Sequence, residues 1–139
     1  MAGTLPRTAT VVLAAVLIAS SGCGRRSDID LTFDHGLRSS PTPPTSLVPL
    51  TLSFDIINDS LDDVDNVEWV INRDGVAFKS GIIGHIDDGD FDFGTVSFTE
   101  TAGSHIYEFV IDPANRIRER SEDNNVSVIT VVVPPGGTG

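Results

Sequence analysis

The feature that most constrains this chain is the alternation of apolar and polar residues along short segments. Every second residue from 50 to 56 is apolar, and Thr51, Ser53 and Asp55 lie between them. A period of two places one set of side chains on each face of a β-strand, whereas a helix needs a period near 3.6. The same alternation recurs between turns rich in Gly, Pro and Asp, and no segment carries a convincing helical pattern. We therefore predict a chain built from strands.

Turn residues divide the chain into seven predicted strands. The Asp74-Gly75 pair predicts a hairpin, because a type I′ turn needs positive φ at both central positions. The segments that we predict as loops are 35–46, 61–66 and 81–89. Seven strands at this spacing predict an all-β, Ig-like antiparallel β-sandwich, in which Trp69 is the best-placed core residue.

The fifth predicted strand changes phase along its length. Its inward side chains are expected to be Phe91 and Phe93 at the start and Val96 and Phe98 at the end. A shift from odd to even positions needs one extra residue, and glycine commonly marks such a place. We therefore predict a β-bulge at Gly94.

The first 22 residues are interpreted as an export signal. Residues 9–19 form an uncharged, largely apolar run that is too short to span a membrane. Small residues then precede Cys23, the single cysteine, and this arrangement resembles the signal of bacterial lipoproteins, although Ser20 stands where Leu is typical. The resemblance implies that 1–22 is removed, that Cys23 is acylated, and that 23–27 forms a lipid anchor and short tether. An ordinary secretory signal cleaved nearby is the alternative.

The charge balance excludes nucleic acid as a partner. The chain has 9 Lys and Arg against 20 Asp and Glu, a net charge of −11, so it offers no basic face to phosphates. An anionic membrane also repels such a domain, and we expect the lipid anchor to hold it there. The expected location is the cell envelope, on the extracytoplasmic side. The lipoprotein resemblance implies the outer membrane if the host is diderm, because Gly24 replaces the Asp of inner-membrane retention.

The last quarter of the chain carries its most distinctive motif. An Asp-Pro-x-Asn turn at 112–115 is followed by a spacer, by Glu119 and by a Glu-x-Asn-Asn run at 122–125. This pattern resembles the closing motif of the CARDB family, the cell-adhesion-related domain found in bacteria. The resemblance covers 28–133 and leaves 134–139 as a predicted flexible tail. It implies an Ig-like sandwich that is usually extracytoplasmic.

The polar residues of this motif are interpreted as structural. They are expected to hold the turn through side chain–backbone hydrogen bonds and local ion pairs, and the neighbouring arginines disfavour a cation. The residues of this family signature are Asp112, Glu119, Glu122, Asn124 and Asn125.

An acidic loop offers a second, calcium-binding hypothesis. Four carboxylates lie within six residues at Asp87, Asp88, Asp90 and Asp92, and Ca²⁺ prefers several oxygen ligands at close range. Phe93 stands where an EF-hand loop requires Gly, which rejects that motif. We favour a solvated strand face over calcium, and no other cofactor is expected.

Catalysis finds little support in the sequence. Three histidines are present, and there is no metalloprotease, nucleophile-elbow or phosphate-loop motif. We expect His105 to form a hydrogen-bonded corner rather than to act as a general base. The pair His85 and Asp87 lacks an accompanying nucleophile.

These observations predict a non-catalytic cell-envelope lipoprotein that presents one CARDB-like sandwich. Its expected role is adhesion or protein–protein assembly at the bacterial surface, through an envelope protein or a surface polysaccharide. The alternative is a carbohydrate-binding or enzyme-accessory module of an exported complex. Stacking platforms for sugars are usually exposed aromatics, and Trp69 and Tyr107 are both expected to point inward.

Overall fold

Eight β-strands and no helix make up the regular structure of residues 28–136, the part of the chain that this computed structural model describes. The predicted signal, Cys23 and the tether lie outside these residues. The strands are β1 (Leu31–Thr32), β2 (Arg38–Ser40), β3 (Leu50–Asn58), β4 (Val64–Arg73), β5 (Val76–Ile86), β6 (Phe91–Phe98), β7 (Gly103–Ile111) and β8 (Val126–Val133). Within the described part, no helix has the length and hydropathy needed to cross a membrane.

The strands form two antiparallel sheets of four strands each. In the first sheet, β3 pairs with β6 along one side, while β1 and β2 share its other side one after the other. The second sheet has the order β5-β4-β7-β8. This all-antiparallel sandwich confirms the predicted fold class, with eight strands in place of seven.

The hairpin predicted at Asp74-Gly75 is confirmed. Asp74 has a φ of 50° and Gly75 a φ of 82°, as a type I′ turn requires. The turn joins β4 to β5, and the two strands pair from Arg73 and Val76 outward.

Three predicted loops were placed wrongly, since each contains strand residues. Segment 35–46 includes β2, whose three residues pair with β3 and are too few to show alternation. Segment 61–66 overlaps the start of β4, and 81–89 is β5 as far as Ile86. Gly81 lies within that strand, where the ring of Trp69 leaves no room for a side chain: a Cβ would come within 2.5 Å of Cζ2.

The predicted β-bulge at Gly94 is also wrong. The β3–β6 pairing runs without interruption, and Gly94 lies opposite Phe54. Phe91 and Phe93 therefore point outward, with 61% and 70% of their surface exposed. The irregularity in pairing lies instead between β4 and β5, at Ile71 and Asn72.

The core lies between the two sheets and is centred on aromatic rings. Phe54 of β3 stacks on Phe109 of β7 at a centroid distance of 4.3 Å, and both are almost fully buried. Tyr107 is fully buried, as expected. Trp69 packs against Phe54 at 4.7 Å but is only partly buried, so the centre of the core belongs to the two phenylalanines.

Adding a methyl group at Gly94 is expected to destabilise the fold. Its Cβ would lie 2.4 Å from Cζ of Phe54, so the buried ring would have to move. Overpacking of this kind costs about 1–3 kcal/mol. Urea denaturation should therefore show a lower free energy of unfolding for Gly94→Ala.

Gly84→Ala is the matched control for this variant. A Cβ at Gly84 meets nothing within 4 Å. The change should be neutral or stabilise the protein by up to about 1 kcal/mol, because alanine restricts the unfolded chain. Equal losses of stability in the two variants would contradict the proposed contact.

Candidate functional site

Asp112 organises the turn that leaves β7. It has a φ of 47°, in a region that Asp tolerates because its short side chain bonds nearby backbone. Its carboxylate accepts the N–H groups of Arg116 at 3.1 Å and Ile117 at 2.7 Å. Its own N–H donates to the carbonyl of Glu68 on β4 at 2.7 Å.

Glu119 lies at the centre of the family signature and is only 8% exposed. One carboxylate oxygen accepts the N–H of Leu31 at 2.7 Å, and the other accepts the side-chain amide of Asn125 at 2.7 Å. Burial raises the pKa of Glu119 to about 7, although these two hydrogen bonds favour the ionised form. The side chain thereby connects β1 with the segment that leads into β8.

The remaining signature residues extend this network. Asn124 donates to Asp30 at 2.8 Å, and Arg120 forms an ion pair with the other oxygen of Asp30 at 2.8 Å. Glu122 accepts the N–H of Glu119 at 3.0 Å. Of the five signature residues, Glu119 and Asn124 thus contact the first residues of the domain, while Asp112 and Glu122 bond backbone within or next to the closing segment.

The four carboxylates of the acidic loop do not form one cluster. Asp90 and Asp92 each accept the N–H of the following residue, at 2.8 and 2.7 Å. The N–H of Asp88 donates to Asp63 at 2.9 Å. Within residues 28–136, only Asp87 of the four belongs to a group of side chains whose potential ligand atoms lie within 4.8 Å of one another.

That group is centred on His85. Asp63, His85 and Asp87 each have one potential ligand atom within 4.8 Å of the other two, and all three side chains are exposed. The Nδ1 of His85 lies 2.6 Å from Asp65, and its Nε2 lies 2.9 Å from Asp87. Hydrogen bonds to Asp65 and Asp87 raise the pKa of His85. Asp63 and Asp65 were not predicted as part of a site, because they reach His85 only through the pairing of β4 with β5.

A second polar network lies at the other end of β7. Arg73 binds the buried carboxylate of Glu100 through two nitrogens, at 2.5 and 2.8 Å, and the hydroxyl of Tyr107 donates to Glu100 as well. Burial opposes ionisation of Glu100, but these hydrogen bonds outweigh it and lower its pKa to about 2. His105 contacts Asp74 and the carbonyl of Thr101, each at 3.0 Å. Its side chain forms the expected hydrogen-bonded corner.

The two sheets, the closing turn and the buried aromatic core define the class of protein: an Ig-like β-sandwich whose polar clusters lie at the strand ends. The chain belongs to the CARDB family, whose sequence model matches residues 28–128. The resemblance drawn from the closing motif is thereby confirmed.

Solved structures show the same fold. The CARDB domain of a Pyrococcus furiosus protein, in complex with di-metal ions, is 18% identical with a TM-score of 0.70, over 77% of this chain and 94% of that one. A domain assigned to the cell surface in Methanosarcina acetivorans is 18% identical with a TM-score of 0.63, over 80% and 96%. A Geobacter metallireducens structure is 22% identical with a TM-score of 0.55, over 73% and 95%. No curated protein matches the chain significantly.

The buried position of Glu119 predicts a pH-dependent stability. Its pKa rises from an ordinary 4.5 to about 7 on folding, so the folded protein binds more protons than the unfolded chain between these values. Stability therefore falls as the pH rises through this interval. Free energies of unfolding from urea titrations at pH 5, 6, 7 and 7.5 should decrease in that order.

The variant Glu119→Gln separates the pH dependence due to Glu119 from that due to other titrating groups. The histidines also contribute, because the raised pKa values of His85 and His105 give stability that is lost as the pH rises. Gln cannot titrate, so the variant should show a shallower slope between pH 5 and 7.5, whatever its absolute stability. An unchanged slope would show that Glu119 titrates alike in the folded and unfolded chains.

Proposed function

We propose that this chain is a lipid-anchored protein of the cell envelope that displays its CARDB domain for adhesion or protein assembly, without catalysis. The observation that carries the proposal is the position of the domain. The family match begins at residue 28, five residues after Cys23, and Cys23 follows a segment, 1–22, that resembles a lipoprotein signal. An acylated Cys23 would hold the sandwich close to the membrane surface.

The contacts of the ionisable side chains support a non-catalytic role. Glu119 bonds the backbone of β1, and Glu100 is held by Arg73 and Tyr107. Both buried carboxylates are therefore committed to the fold. The contacts of His105 likewise hold a corner rather than face an open cleft.

Lipid attachment is tested by Cys23→Ala. The variant removes the acylated sulfur, so the chain should move from the membrane fraction to the soluble fraction and lose incorporation of labelled palmitate. Two or more acyl chains give stable anchoring, at about 0.8 kcal/mol for each buried methylene, so the shift should be nearly complete. Ser27→Ala is the control and should leave partitioning unchanged. Unchanged partitioning of Cys23→Ala would contradict the anchor.

A divalent metal is a second candidate ligand, supported by one specific cluster. His85, Asp63 and Asp87 offer one nitrogen and two oxygens within 4.8 Å, and Asp65 bonds the other ring nitrogen. A His nitrogen with carboxylates suits zinc better than calcium, which takes oxygen ligands. The related Pyrococcus furiosus domain was solved with di-metal ions. We therefore include metal binding at this cluster in the proposal.

Thermal unfolding of the full chain with Zn²⁺, Ca²⁺ or a chelator tests this candidate. An ion at 100 times its dissociation constant stabilises a protein by about 2.7 kcal/mol, which raises the Tm by several degrees. We expect Zn²⁺ to raise the Tm and His85→Ala to abolish the rise, while Asp92→Asn preserves it. A rise with Ca²⁺ alone that Asp90→Asn abolishes would instead assign calcium to the acidic loop. No rise with either ion would contradict metal binding.

A further inference from the structure

A trough of about 330 Å³ crosses the outer face of the first sheet. Asp55 and Ile57 of β3 form its floor. Phe91 and Phe93 of β6 line one side, and the other side is lined by Asp34 and His35, which follow β1, and by Arg38, the first residue of β2. The trough lies apart from the signature turn and from the His85 cluster.

The aromatic side of the trough is formed by two exposed rings on one strand. Phe91 and Phe93 alternate with Asp92, so both project from the same face of β6. Their cross-strand neighbours are Ile57 and Asp55. Adjacent exposed aromatics are unusual on a protein that makes no contact there, and such patches commonly mark a binding site.

The polar side of the trough is held in place by a buried carboxylate. Asp55 is only 5% exposed, and it accepts the N–H groups of Asp34 at 2.7 Å and His35 at 3.1 Å. Arg38 lies 3.7 Å from the same carboxylate. These contacts hold the backbone of Asp34 and His35 and place the guanidinium of Arg38 beside Asp55.

The two sides offer complementary chemistry. The phenylalanine rings present flat apolar faces. On the other side, the guanidinium of Arg38 offers hydrogen-bond donors to a ligand, and the carboxylate of Asp34 offers acceptors. A sugar ring has an apolar face of C–H groups and an edge of hydroxyls that both donate and accept. We propose that this trough binds a neutral hexose unit of a polysaccharide. This inference rests on the proposed adhesive function and gives that function a site and a ligand class.

Charge and existing contacts separate this ligand from anions and metal ions. An anionic sugar would meet Asp34, Asp55 and a chain with a net charge of −11. A metal ion at the grouped atoms of Asp34, His35 and Asp55 would compete with the two N–H bonds to Asp55 and with Arg38. A neutral polyhydroxylated ligand uses donor and acceptor together.

The sheet face beyond Arg38 continues with hydroxyl groups. Ser53 pairs opposite Arg38 on one side and opposite Thr95 on the other. These residues share the face of Asp55 and Phe93, because side chains two residues apart point the same way. A second sugar unit could therefore lie along the face next to the first.

The test uses the full chain, purified in detergent, and a panel of immobilised neutral oligosaccharides. The panel contains homo-oligomers of glucose, mannose, galactose and N-acetylglucosamine, and affinities are measured by titration. We expect at least one to bind. Phe93→Ala should weaken that binding about tenfold or more, the loss of one aromatic contact. Phe93→Tyr should preserve binding, because the ring face remains.

Ile82→Ala is the matched control. Ile82 is 63% exposed on β5, in the other sheet, so its loss tests for general apolar adhesion and should leave binding unchanged. Circular dichroism checks that each variant is folded. Failure of every oligosaccharide to bind would overturn the proposal. Binding that survives Phe93→Ala would overturn it as well, as would binding abolished by a chelator.

Self-association is measured in parallel. A dimer that Phe93→Ala dissociates, in the absence of sugar binding, would assign the rings to a second copy of the chain and overturn the sugar site. The proposed function fails separately, if Cys23→Ala leaves partitioning unchanged or if cross-linking on cells captures no envelope component. Loss of sugar binding alone would not contradict the proposed role of the chain as a lipid-anchored envelope protein.

Discussion

The buried carboxylate of Glu119 is the interaction on which the arrangement of this domain depends. Its two oxygens accept hydrogen bonds from different parts of the fold. One donor is the backbone N–H of Leu31 in the first sheet, and the other is the side-chain amide of Asn125, just before β8 of the second sheet. A buried carboxylate is costly unless it is fully hydrogen-bonded, so the two partners must stay in place together. The first strand of the domain is thereby held to the segment that leads into the last strand.

Two of the polar networks lie at the two ends of β7, and both of them stabilise the fold. At one end Glu100 joins Arg73 and Tyr107, and at the other Asp112 organises the closing turn. Removing one member of such a network leaves a buried partner unsatisfied, at about 1–3 kcal/mol, so these side chains stabilise the fold.

Local sequence patterns predicted the strands well where one face is buried and failed where distant rings decide the geometry. The alternation at 50–56 and the Asp74-Gly75 turn are local signals, and both were predicted. Gly81 and Gly84 are residue types typical of a loop, yet Gly81 lies in a strand against the ring of Trp69, a contact that the neighbouring sequence does not predict. Counting outward from the hairpin would place Asp65 opposite residue 84; the irregularity after Ile71 moves it to His85. A shift of one residue exchanges the two faces, so the His85 cluster could not be predicted.

Gly94 links the core to the exposed trough. Gly94 faces inward opposite Phe54, whose ring fills the space that a side chain would need. Because only glycine fits there, this contact fixes which residues of β6 face the core. With 94 inward, Phe91 and Phe93 must lie outward beside Asp55. The packing of buried Phe54 against Gly94 is therefore linked to the exposure of Phe91 and Phe93. The two exposed rings lie beside the segment whose backbone is hydrogen-bonded to the carboxylate of Asp55. The aromatic trough is therefore a consequence of the core rather than an accident of a mobile loop, and a ligand would meet it already formed.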